Sequence, residues 1–189
     1  MDHLVIHYRV GDFVHLGSCP SVDDVAREAA ALQPAVVELL DGGATTDSST
    51  AENSTHPRNF GAPTLFETTN RAYIKARAQA AMRSREASAA TVSRLRSALK
   101  AALPNARHVS GLSPPGASHV STDRDFYRMV HAPLLLTAGG SYAIAAAIAS
   151  YAREVRTPAA RDLLHLTKGQ SRPESIGTAW RTYAFKVQC

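Results

Sequence analysis

The sequence predicts an α/β chain folded as one Rossmann-like, three-layer domain with a mostly parallel sheet. Three observations carry that expectation. Short apolar runs of strand formers alternate with helical segments, the pattern that builds strand–helix–strand units. The first unit closes early, running from a strand at 3–8 through a helix to a strand at 35–40. The length, 189 residues, suits one domain and is short for two.

Taken in order, His3-Leu4-Val5-Ile6-His7-Tyr8 is a compact apolar run ending near Arg9 and Gly11, and it reads as a buried strand. Ser21 is placed to cap a helix whose first turn carries Asp23 and Asp24 and which runs to about Leu32. Pro34 opens a second strand, Ala35 to Leu40, closed by Asp41-Gly42-Gly43. Residues 42–69 are dominated by Gly, Ser, Thr and Asn and read as a flexible low-complexity insertion. From Asn70 to Leu103 the chain has neither Gly nor Pro, and Val92, Leu95, Leu99 and Leu103 fall on one helical face. A third strand is expected at 106–110 and a short helix at 122–130. Pro133 to Thr137 reads as a fully buried strand, Ala138-Gly139-Gly140 as a turn, and Ser141 to about Arg153 as a helix. An irregular tail is expected from 158, broken by Gly169, Pro173 and Gly177.

Composition narrows the function classes. The chain is 44% hydrophobic and 20% charged, a globular balance. Its longest apolar candidate, Ala138 to Ala149, falls short of the ~18–20 residues of a membrane span. Two cysteines, Cys19 and Cys189, cannot make a disulfide framework or a zinc site. The eight histidines show no metal-ligand spacing, so no metal is expected. Met1-Asp2-His3 carries no basic leader, which as written suits the cytoplasm; as a piece of a longer eukaryotic protein the chain would suit the Golgi or ER lumen, where the Asn53 sequon has meaning. The net charge of +5 hides blocks: −7 over residues 1–69, +8 over 70–107 and +4 over 108–189. The basic block reads first as a solvated helix. Tyr73 is its only aromatic, so no base-stacking platform accompanies the charge and nucleic acid is not the expected partner.

In a parallel sheet, ligands bind beyond the carboxyl ends of the strands. Two turns leave strands there: Arg9-Val10-Gly11-Asp12, and Gly139-Gly140-Ser141 opening a helix. The second has the form of an anion site, with glycines admitting a phosphate to the backbone and free N–H groups at the helix start. Arg9 could grip the same phosphate with its guanidinium fork. Each residue also has a plain structural reading. His7 suits a hydrogen-bonded histidine on a buried strand, Asp12 a turn, and Asp125 the N3 position of a capping box begun by Thr122.

His7-Tyr8-Arg9-Val10-Gly11-Asp12 resembles the H-x-R-x-G-D signature opening the nucleotide-sugar half of the fucosyltransferases, the α1,2-, α1,6- and protein O-fucosyltransferases together. Asp125 through Ser141, with Phe126, Ala132 and the small-residue turn, looks like their second shared region, and Val36 to Asp41 like the strand between. The likeness covers roughly residues 3–153 in order, and about a dozen positions in identity. It departs at Val10, where many members carry a second Arg, and at the aromatic cluster that follows the turn in α1,2 enzymes.

The resemblance implies the C-terminal, donor-binding half of a B-type glycosyltransferase fold. It implies GDP-fucose, or another GDP-sugar, as donor for inverting, metal-independent transfer to a hydroxyl on a glycan or protein. Arg9 would contact the β-phosphate, His7 the nucleoside, Asp125 the guanine edge, and Gly140 with Ser141 the diphosphate. Asp12 is the nearest carboxylate for a general base. The acceptor half of such enzymes has no room in this chain, which would then be a lone donor-binding domain or a fragment. Two other readings stand beside it. Gly139-Gly140-Ser141-Tyr142-Ala143 resembles a serine-hydrolase nucleophile elbow, with Asp162 and His165 following Ser141 in triad order. A non-catalytic phosphate- or nucleic-acid-binding module would use the basic block instead.

Overall fold

The structure, a computed structural model, describes residues 2–8, 10, 20–41, 71–110, 120–158 and 179–184, with backbone alone at 71–85, 110, 120–122 and 141. Among these lie six strands: β1 (His3–His7), β2 (Val36–Leu40), β3 (Arg107–Ser110), β4 (Leu134–Thr137), β5 (Glu154–Pro158) and β6 (Ala179–Tyr183). Four helices alternate with them: α1 (Val22–Ala31), α2 (Arg71–Ala102), α3 (Val120–Val130) and α4 (Ser141–Ile148). The strands form one sheet in the order β3-β2-β1-β4-β5-β6, with every neighbouring pair parallel. That is the Rossmann-like, doubly wound arrangement, and its strand order reverses between β1 and β4.

Both faces of the sheet are covered, which is why its central strands read as predominantly apolar runs. All five residues of β2 and all four of β4 are buried. On one face Leu4, Ile6, Tyr8, Val37, Leu39, Leu134 and Leu136 pack against α1 and α2. The predicted α2 stripe is the contact: Val92, Leu95, Leu99 and Leu103 are all buried. On the other face Val5, Leu40, Leu135 and Val155 meet Met129 and Val130 of α3 and Ala146 and Ala147 of α4. Strand alternation sends His7 and Thr137 to this second face, two residues beyond Val5 and Leu135.

Four local expectations are corrected. Ser21 stands at the start of α1 and its carbonyl accepts the Val25 N–H, but its side chain makes no capping bond. Helix α3 begins at Val120, so Thr122 and Asp125 both sit inside it and form no capping box. Helix α4 stops at Ile148, five residues short of Arg153. There the Ser150 hydroxyl takes the Ala152 N–H at 3.0 Å and the Tyr151 N–H bonds the Val130 carbonyl, diverting the backbone from the helix. The chain then re-enters the sheet as β5, and the expected irregular tail holds β6 as the outermost strand in its pairing. The insertion at 42–69 and the sequon lie outside the described residues.

Among the described residues no helix is long and apolar enough to cross a membrane.

Candidate functional site

Adjacent β1 and β4 bring the ends of the two predicted segments together. His7 pairs with Thr137, and the Ala138 N–H donates to the His7 carbonyl at 2.9 Å. Beyond β4, Gly139 and Gly140 take φ of +99° and +92°. This left-handed backbone favours glycine, and it turns the chain directly into α4. Gly140 is the N-cap and, having no side chain, makes no capping bond to the first N–H groups of α4. Thr137 is fully buried on the α4 side of the sheet, and its hydroxyl has no hydrogen-bond partner among the described residues. Its carbonyl is held by the Tyr183 hydroxyl at 2.9 Å. The N-terminus of α4 thus lies at the point where the strand order reverses.

Beside it runs a row of rings. His7, only 7% exposed, lies 5.7 Å from the Tyr142 ring, and Tyr142 lies 5.7 Å from Phe126. Burial, then the Asp125 charge, pushes the Tyr142 hydroxyl up to about 12, so it stays a neutral donor at physiological pH. On the outer side of Phe126 and Tyr142 an open groove of about 480 Å³ continues between α3 and α4, walled by Asp123, Tyr127 and Val130.

Asp125 lies half-buried on α3. Burial pushes its carboxyl up to about 6; Arg128 opposes the shift, while the charges of Asp41 and Glu38 add to it. Arg128 and Arg96 are engaged elsewhere. Arg128 pairs with Glu38 at 3.0 Å, and Arg96 of α2 donates to Asp41 at 3.0 Å. His3 takes the other Glu38 oxygen at 3.2 Å. Asp125 itself has no ion pair or hydrogen bond with any described residue. An ionised carboxylate in these surroundings carries a cost to the folded state.

That cost is measurable. The raised carboxyl stabilises the fold in its neutral form, fully below its ordinary value of 3.8, and the stabilisation is lost as pH rises through about 6. Asn is neutral throughout. Asp125→Asn is therefore expected to raise the stability of the ligand-free chain by about 1–2 kcal/mol at pH 7.5, allowing for partial exposure, and by nothing near pH 3.5. Urea denaturation at both pH values checks this; equal or lower stability of the variant at pH 7.5 contradicts it.

Of the residues singled out by sequence, His7, Gly140 and the backbone of Ser141 lie at this carboxyl edge, while Asp125 lies midway along α3. Arg9 and Asp12 fall outside the described residues, as do Asp162 and His165. Sequence reasoning missed Thr137, Tyr142 and Phe126 as site walls and Glu38 with Asp41 as the charges acting on Asp125. One signal was present: Glu38 interrupts an otherwise apolar strand, and a buried charge there needs partners.

The fold defines the class, a doubly wound α/β domain whose strand order reverses between β1 and β4. Comparison with family models, curated proteins and solved structures finds no match for the chain.

Proposed function

We propose that the domain binds a GDP-sugar at the β1–β4 switch point and presents it for inverting transfer to a hydroxyl acceptor. The supporting observation is that β1 and β4, the strands leading into the two motif segments, are paired neighbours where the strand order reverses, with the N-terminus of α4 directly beyond β4. The diphosphate lies against the Gly139–Ser141 turn, where backbone N–H groups and the helix dipole meet its charge. Guanine lies toward Asp125, because a carboxylate offers two acceptors side by side and guanine offers two adjacent donors, N1–H and the 2-amino group. His7 and Tyr142 supply ring surface along the nucleoside.

The chemical step follows from this placement. As the glycosidic bond breaks, negative charge grows on the departing GDP. Arg9 and the α4 N-terminus stabilise that charge where it develops. Asp12 takes the proton from the attacking acceptor hydroxyl, and attack on the face opposite GDP inverts the anomeric centre. Fucose is the sugar the motif favours; the base and diphosphate contacts serve other GDP-sugars equally.

Calorimetric titration of the full chain with GDP, UDP and ADP tests the reading. Selective binding of GDP is expected. A folded sample that binds none of the three overturns it.

A further inference from the structure

Asp123, Tyr127 and Val130 have no part in the nucleotide reading, yet they wall the open groove between α3 and α4. With Phe126 they occupy the i, i+3, i+4 and i+7 positions of one face of α3, and Tyr142 of α4 closes the other side. The groove holds about 480 Å³, within the ~300–1,000 Å³ of clefts that take small ligands. Three of its five walls are aromatic rings. Phe126 and Tyr142 stand 5.7 Å apart and are inclined at 57°. Tyr127 is 64% exposed, yet its ring is held: His131 lies 4.2 Å from it and stacks in turn on Tyr151 at 5.5 Å and 22°. A ring already held loses little freedom when a ligand arrives.

The charge of the groove has one sign. Asp123 is the only charged group among the five walls, and it is exposed and makes no ion pair with a described residue. Arg124 and Arg128 of α3 do not line the groove, and Arg128 is paired with Glu38 at 3.0 Å. The Tyr142 hydroxyl, raised first by burial, also registers the charges of Asp125 and Asp123, so negative potential reaches across to α4. Ring faces carry the negative side of the aromatic quadrupole and attract cations. A methylated ammonium spreads its charge over an apolar shell of C–H groups, so it can meet rings and carboxylate together. An anion would be repelled by Asp123, and a neutral apolar molecule would leave that carboxylate unmatched. We propose that the groove between α3 and α4 binds a small, soluble organic cation through a methylated ammonium group, with Phe126, Tyr127 and Tyr142 as ring walls and Asp123 as counter-charge. The proposal does not depend on nucleotide binding.

The experiment follows amide NMR shifts of the full chain during titration with choline and with dimethylbutanol, its neutral isostere in which carbon replaces nitrogen. Choline is expected to move resonances of α3 and α4 around Tyr127 and Tyr142, and to bind at least about tenfold more tightly than the isostere. Tyr127→Ala is expected to weaken choline binding by about three- to tenfold, and Asp123→Asn by about threefold. Both side chains are exposed, so the fold is expected to hold, as a urea melt would show. Equal binding of the isostere overturns the proposal, because the groove would then take apolar surface alone. Absence of choline shifts, or shifts confined to other elements, also overturns it. So does unchanged choline affinity in either folded variant. A chain that sediments as a dimer until Tyr127→Ala disperses it overturns it as well, since a second copy would then fill the groove. Should a variant fail to fold, the comparison of choline with its isostere on the wild-type chain still decides.

Discussion

Arg9→Ala is expected to weaken GDP binding on the order of 10²–10³-fold while leaving the fold unchanged. The size follows from the chemistry of the lost contact. A guanidinium gripping a diphosphate makes paired, charge-assisted bonds in a partly dry crevice, and removing one partner leaves the other desolvated and unmet; such truncations cost about 2–5 kcal/mol. The fold is expected to tolerate the change because the residues on either side do the packing. Tyr8 is fully buried, its hydroxyl donating to the Pro20 carbonyl at 2.8 Å, and Val10 packs against the same core. Arg9→Lys separates charge from geometry: it keeps the cation and loses the fork, so it should recover part of the affinity. The check is titration calorimetry beside a urea melt. Unchanged affinity in a folded Arg9→Ala protein contradicts the donor-site assignment, and a melt shifted by more than about 0.5 kcal/mol would show that Arg9 is structural instead.

How much of this site could be read from residues alone depended on where each group finds its partner. The ends of β1 and β4, at His7 and the Gly139–Ser141 turn, were legible because their positions follow from local signals, the end of an apolar run and a glycine pair before a helix. The central strands were legible for the same reason, since burial on both faces leaves β1, β2 and β4 mostly apolar. What sets the chemistry of Asp125 was not legible. Asp41 is 84 residues away in sequence and Arg96, which occupies Asp41, comes from a helix on the opposite face of the sheet. The capping box was a case of local chemistry misleading. Thr122 and Asp125 have the right spacing, but the helix had already begun two residues earlier at Val120.

Strand β5 was obscured differently. Glu154-Val155-Arg156-Thr157-Pro158 carries two charges and a proline, which argues against a strand when read alone. In the fold those charges are consumed: Arg156 donates to Glu154 at 2.9 Å and to Glu28 of α1 at 3.0 Å, so the strand is pinned to a helix by its own polar residues. Pro158 ends β5 and so costs little in ladder bonding.

The strand that sequence reading left in an irregular tail carries the largest expected effect on stability. Tyr183, the last residue of β6, is 4% exposed and belongs to the same core cluster as Leu4, Ile6 and Leu136. Its hydroxyl crosses β5 to hold the Thr137 carbonyl, and burial raises that hydroxyl far above its ordinary value, keeping it a donor at all working pH. Tyr183→Ala removes a buried ring and leaves a cavity, so a loss of about 3–5 kcal/mol is expected in urea denaturation. That is a large fraction of the ~5–15 kcal/mol a domain of this kind has in total. Tyr183→Phe keeps the ring and strands one buried carbonyl, for a loss of about 1–2 kcal/mol. The Phe variant also joins stability to function. Thr137 ends β4 at the switch point, immediately before the turn proposed to hold the diphosphate, so releasing its carbonyl loosens the base of that turn without emptying the core. Tyr183→Phe should therefore weaken GDP binding, read by titration calorimetry, more than its loss of stability alone would. A Tyr183→Ala protein as stable as wild type would mean that β6 lies against the sheet without supporting it, and the five remaining strands would then have to account for the core alone.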